Sequence, residues 1–128
     1  MKLNRQQAVE LNTALSQKGL KARHVSGVNY IKLINAKIAL KNSLSVLSEL
    51  ENDVAEDFGA SQQGAAFYLE DKEKIKEFTK NLREKQKAYL IELELNFIPE
   101  NELKEFTKEQ DTEIEAVLFE YLLIHKPT

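Results

Sequence analysis

Cysteine and tryptophan are absent from this 128-residue chain, proline and histidine occur twice each, and glycine four times. The missing cysteine excludes disulfides, a thiol nucleophile and the common structural zinc sites. The glycines stand singly at positions 19, 27, 59 and 64, so there is no glycine-rich loop to cradle a phosphate. His24 and His125 are isolated, and neither lies in a pattern with a serine that would suggest a nucleophile and its base. No apolar run approaches the roughly 20 residues of a membrane span. The opening residues Met1, Lys2, Leu3 and Asn4 pass straight into a polar helical pattern without the apolar stretch of a secretory signal. These absences predict a cytoplasmic protein that is not an enzyme, does not enter a membrane and has neither cofactor nor metal.

What is present is helical periodicity, most clearly over residues 26–58, where there is no proline and no glycine after Gly27. Leu33, Leu40, Leu44, Leu47, Val54 and Phe58 recur at helical spacing, and Tyr30, Ile31, Ile34 and Ile38 are expected to widen that buried stripe in the first half. Ser26 is placed to cap the start, and Gly59 stands just past the end. Such a helix would be about 45 Å long, so shorter elements must lie along it. The fold class expected is mainly α with a minor β part: a long central helix, three shorter helices and a small β element in one domain, residues 1–128.

The first short helix is signalled by Asn4 with Gln7 at the capping-box position and carries Ala8, Leu11 and Leu15 on its buried side, with Gly19 as its expected end. Residues 20–25 form a basic connector. Residues 60–64 read as a loop, residues 65–69 as a short extended stretch, and Asp71 as the cap of a helix running to about Ala88 with Ile75, Phe78, Leu82 and Tyr89 inward. The period then changes. Ile91, Leu93, Leu95 and Phe97 alternate with polar residues, which predicts a strand that ends before Pro99, with residues 65–69 or 103–107 as its partner. Thr112 and Glu115 have the form of a capping box for a last helix with Ile114, Val117, Leu118, Tyr121 and Leu122 inward.

Charge is unevenly placed. Residues 1–48 hold eight Lys or Arg against the single acid Glu10, whereas residues 49–128 hold ten basic residues against twenty acidic ones. The simplest reading is mutual neutralisation in the fold; the sharper readings are a polyanion-binding face or a dipolar particle that associates head to tail. Lys18, Lys21, Arg23, Lys32, Lys37 and Lys41 form a run without an acid, but no aromatic platform is interleaved and the net charge is −3, so nucleic acid is a weak expectation. Asp53 with Glu56 or Asp57 could share a face near a divalent cation, although the spacing of a calcium loop is missing. The expected partner-binding residues are Phe119, Leu123 and Ile124, which are apolar beyond the needs of one helix face, and Lys37 and Lys41, which share a face of the long helix.

The order of these features resembles a family of small bacteriophage and prophage proteins. The likeness lies in the Met1-Lys2-Leu3 start, the Leu20-Lys21-Ala22 connector, Tyr30 and Ile34 opening the long helix, and the glycine loop. It continues through Glu92-Leu93-Glu94-Leu95 with Ile98-Pro99 and the final Glu113-Ile114-Glu115-Ala116-Val117-Leu118. It implies a non-enzymatic accessory protein, in the host cytoplasm or the virion, whose partner is a phage structural protein or a second copy of itself. The alternative is an acidic inhibitor of a host nucleic-acid-binding or defence protein, and a third reading is nucleic-acid binding through the basic first half.

Overall fold

The computed structural model describes residues 1–63 and 66–124. Along the chain these form β1 (Lys2–Leu3), α1 (Arg5–Leu15), a 3₁₀ turn (Ala22–His24), α2 (Gly27–Asp57), β2 (Ser61–Gln63), β3 (Ala66–Tyr68), α3 (Lys72–Ala88), β4 (Ile91–Glu92), α4 (Glu100–Thr107) and α5 (Thr112–Leu122). The long helix packed against shorter ones is therefore as expected, but among the described residues four shorter α-helices accompany it instead of three. The additional one is α4, over residues expected to be loop or strand. None of the helices among the described residues is long and apolar enough to cross a membrane.

Capping explains most of the helix starts. The Asn4 side chain accepts from the Gln7 amide at 2.9 Å while the Asn4 amide donates back to Gln7 Oε1 at 3.0 Å, a complete capping box. Asp71 accepts from the Glu73 amide at 3.0 Å. The last helix is capped one residue earlier than expected, by Asp111, whose carboxylate accepts from the Ile114 amide at 3.0 Å. The start of α2 is held twice, by the Ser26 hydroxyl accepting from the Asn29 amide at 3.4 Å and by the Glu102 carboxylate of α4, which accepts from the Ser26 amide and from Asn29 Nδ2. A carboxylate there meets the positive end of the helix dipole.

The end of α1 comes at Leu15, four residues before Gly19. Ser16 Oγ donates to the Asn12 carbonyl at 2.7 Å and Gln17 Nε2 to the Thr13 carbonyl at 3.0 Å, so polar side chains satisfy carbonyls at the end of the helix. Gly19 follows in the left-handed region (φ 92°), where a Cβ would lie 3.0 Å from side-chain atoms of both Glu109 and Gln110. Gln110 Nε2 donates to the Lys18 carbonyl at 2.6 Å, which ties this turn to the entry of α5.

Two apolar clusters are strung along α2. The larger takes Leu33, Leu40 and Leu47 from α2, Leu3 from β1, Ala8, Leu11 and Leu15 from α1, Ile98, Leu103 of α4, and Leu118 and Leu122 of α5. The smaller joins Val54 and Ala55 to Phe78 of α3, with Phe58, Phe67 and Leu82 against them. The Phe78 ring meets Phe58 and Phe67 edge-on, at centroid distances of 5.7 and 5.9 Å. Tyr89, expected on the inner side of α3, packs instead against the larger cluster, and Ile75 is exposed.

The alternating segment at residues 91–97 is a strand only over Ile91–Glu92, and its antiparallel partner is β1, not residues 65–69 or 103–107. β3 falls in the stretch expected to be extended and pairs antiparallel with β2, which occupies residues expected to be loop; Gly64 and Ala65 lie outside the described residues. The burial pattern of the alternation nonetheless holds, with Ile91, Leu93 and Phe97 buried. The ladder covers only Lys2–Leu3 opposite Ile91–Glu92. Met1 makes the last contacts, its ammonium donating to the Leu93 carbonyl at 2.8 Å and its carbonyl accepting from the Leu93 amide at 3.0 Å.

Beyond that point the backbone turns to another element. Asn96 is left-handed (φ 63°), its amide donates to the Tyr121 carbonyl at 2.9 Å, and its side chain donates to the Leu123 carbonyl at 3.0 Å. Ile98 donates to the Leu122 carbonyl at 2.9 Å and accepts from Ile124 at 3.0 Å. Carbonyls left unpaired by the end of α5 thus find their donors in residues 96–98.

Replacing Asn96 by alanine should lower stability by about 1–3 kcal/mol, because it loses these bonds and strains the backbone. Asn96→Gly should cost less, since glycine keeps the left-handed geometry; urea unfolding of the two variants checks the order. In the same assay Leu40→Ala should cost about 2–5 kcal/mol, whereas Ile38→Ala should stay within about 0.5 kcal/mol of the parent.

Candidate functional site

Ile38 is two residues from Leu40, and Ile31 two from Leu33, so each isoleucine stands about 200° around α2 from a buried leucine. The structure accordingly corrects the expectation that the isoleucines widen the core stripe: Ile31, Ile34 and Ile38 are 60%, 41% and 54% exposed, and Val28 is 69% exposed. α1 and the rest of the larger cluster cover only the leucine side. Three isoleucines at i, i+3 and i+7 form a continuous apolar row on the solvent side of the helix. β-branched side chains are not favoured by the helix backbone, so local structure gives no reason for them there. Scattered exposed apolar residues are ordinary; a contiguous row is the mark of a surface that is covered by something else.

The row has a cationic edge. Lys37 and Lys41 are both exposed, lie beside Ile34 and Ile38, and take part in no ion pair among the described residues. No acid occurs on α2 before Glu49. Next to Ile34 and Lys37 a cleft of about 120 Å³ opens between the end of α1 and the start of α2, with Leu15, Leu20, Leu33 and Phe106 among its lining residues. A large apolar side chain of a partner could enter beside the isoleucines, with Lys37 at its edge.

Three of the other six basic residues of the first half are paired with acids. Arg5 Nε pairs with the largely buried Glu51 at 2.6 Å, Lys21 with Glu109 at 3.3 Å, and Lys32 with Glu94 at 3.2 Å while also standing 5.6 Å from the centre of the Phe97 ring. All three pairs join the basic first part of the chain to its acidic remainder. That is the neutralisation suggested by the charge counts; Lys37 and Lys41 take no part in it and stand beside an apolar surface.

A second surface lies between α1 and α5. Glu10 and Thr13 from α1, with Glu113, Ile114, Ala116, Val117 and Glu120 from α5, line an open groove whose floor is apolar and whose edges are acidic. Glu10, Glu113 and Glu120 are exposed and take part in no ion pair among the described residues. Tyr121, behind this edge, has its hydroxyl pKa raised above the ordinary value, first by burial and then by the charges of Glu120 and Glu10.

The remaining expected partner residues stand apart from the α2 row. Phe119 and Leu123 are half-buried against the larger cluster, and Leu123 bridges to Ile98. Ile124 is 40% exposed. The carboxylates at the end of α2 do not gather: Glu51 is engaged by Arg5, and no three His, Asp or Glu side chains among the described residues are placed to hold one ion. His24 Nε2 accepts from Arg23 Nε at 3.4 Å, and its buried Nδ1 has no hydrogen-bond partner. His125 lies outside the described residues.

On α3, Lys76, Lys80, Arg83 and Lys87 recur at spacings of three and four and line one side of the helix with Ile75 and Thr79. The row of Glu73, Glu77 and Glu84 runs directly beside it, so the face is mixed in sign and well solvated.

The Tyr121 environment has a measurable sign. The fold holds the neutral phenol, so its contribution is complete below the unfolded value of about 10 and is lost as pH rises through the raised folded value. Stability of the parent should therefore fall more steeply as pH rises above about 10 than that of Tyr121→Phe, as read from urea midpoints below and above that pH. No protein-family model matches the chain, and neither a curated protein nor a solved structure is significantly similar to it.

Proposed function

We propose that this is a non-enzymatic accessory protein that works by protein–protein contact in phage virion or tail assembly, and that the solvent face of α2 is the surface it offers. The observation that carries this reading is the exposed row Ile31, Ile34 and Ile38 with its free Lys37 and Lys41. Burying such a row against a partner removes apolar area from water at roughly 25 cal/mol per Å², a gain the isolated chain forgoes. The helix is fixed at its start by Ser26 and Glu102 and along its other side by the core, so the face is presented rigidly and little ordering is needed on binding. The phage setting rests on the order of sequence elements described above.

A second reading is favoured by the α1–α5 groove. Its unpaired Glu10, Glu113 and Glu120 suit an inhibitor that occupies a basic groove of a host nucleic-acid-binding or defence protein. The readings differ in which surface is covered.

A photo-crosslinking amino acid at position 31, expressed in phage-producing cells, should capture a phage structural protein or another copy of this chain, and the same group at Asn52 on the acidic half of α2 should not. Capture of a host protein from position 116 alone would transfer the function to the acidic groove. Equal labelling from positions 31 and 52 would contradict a dedicated face.

A further inference from the structure

The isoleucine face and the acidic groove have the same length and opposite charge. Ile31 to Ile38 and Glu113 to Glu120 each span seven residues of helix, about 10 Å. One is an apolar ridge edged by Lys37 and Lys41, the other an apolar floor edged by Glu10, Glu113 and Glu120. They share no residue and stand on different helices, with α1 packed against both α2 and α5. Ile31 and Ile38 point away from the core that α1 helps to form, so no fold of this one chain brings the ridge to its own groove.

We propose that the α2 ridge of one copy seats in the α1–α5 groove of the next, so that the protein associates with itself head to tail. This rests on the reading of the α2 face as an interaction surface and names its occupant. Face-to-face pairing of two ridges is disfavoured by charge. With the two helices antiparallel it would bring Lys37 and Lys41 of both copies onto one narrow stripe, since the acids Glu92 and Glu94 stand at the other edge of α2, beside Lys32, Asn35 and Ala39. Ridge into groove instead places each lysine pair against carboxylates that have no other cation, around an apolar centre that salt does not screen. A contact between two different surfaces repeats from copy to copy, closing into a ring or extending as a chain according to the rotation it imposes.

Light scattering on purified protein tests this with two variants. Ile34→Asp/Ile38→Asp blocks only the ridge, and Glu113→Lys/Glu120→Lys blocks only the groove; all four positions are exposed, and circular dichroism checks that both variants fold. The parent should form particles larger than one 14.7 kDa chain whose mass grows with concentration and shrinks at high salt. Each variant alone should be monomeric, and an equimolar mixture should form a two-chain particle that grows no further, because only one intact ridge and one intact groove remain. Glu113→Gln/Glu120→Gln, which removes charge without reversing it, should weaken association at least tenfold. A parent that stays monomeric up to about 1 mM overturns the inference. So does a dimer that survives in the groove variant, since that would be a ridge-to-ridge contact. In either case capture of a different protein from position 31 would leave the α2 surface standing and remove only the second copy as its occupant.

Discussion

The rest of the structure depends on the one-sided packing of a 31-residue helix. α2, about 46 Å long, is longer than the core of a domain this size needs. Leu33, Leu40 and Leu47 serve the larger cluster, and Val54 and Ala55 serve a separate one with α3 and the β2–β3 hairpin. α1 and α3 are laid against that same side, and α5 packs in turn on α1. Since nothing among the described residues covers the opposite side, whatever the sequence places there is surface. Beyond the exposed Val46 it places Glu49, Asn52, Asp53 and Glu56, as water demands; in the first half it places isoleucine.

The electrostatic organisation follows the same division. Arg5, Lys21 and Lys32 reach acids of the later chain and so join distant segments, while the carboxylate of Glu102 fixes the start of α2. Exposed pairs of this kind contribute little stability singly, about 0–1 kcal/mol. None of these pairs involves the two lysines beside the isoleucines or the three carboxylates around the α1–α5 groove. Complementary charge on separate apolar surfaces sets orientation and partner choice more than affinity.

Much of this was legible in the residues. Capping signals at Asn4, Ser26 and Asp71 are local chemistry, and they placed three helix starts; the buried leucines of α2 followed from a period of 3.6. The isoleucines were misassigned because periodicity reports spacing and not which side is covered, and a helix apolar on two sides reads as one broad stripe. The alternation at residues 91–97 reported burial correctly but not hydrogen bonding: the partner strand is only two residues long, and Asn96 diverts the backbone to the carbonyls of α5. α4 is short and entered through Pro99 without a side-chain cap, so no local signal announced it. Lys37 and Lys41 were visible as a pair on one face. Their meaning came only when the structure assigned the neighbouring lysines to acids far along the chain.

Because the chain contains no native cysteine, single cysteines report accessibility cleanly, and alkylation rates at positions 31, 33, 34, 38 and 40 are the most direct measurement of the central claim. In dilute protein, Ile31→Cys, Ile34→Cys and Ile38→Cys should react at rates near those of the unfolded chain, while Leu33→Cys and Leu40→Cys should be slowed by orders of magnitude. Once a partner or a second copy is bound, the three isoleucine positions should become protected and positions on the acidic half of α2, such as Asn52→Cys, should not. Slow reaction at 31 and 38 in the dilute chain would mean that the protein covers this face itself, and the account of α2 as an open interaction surface would be wrong.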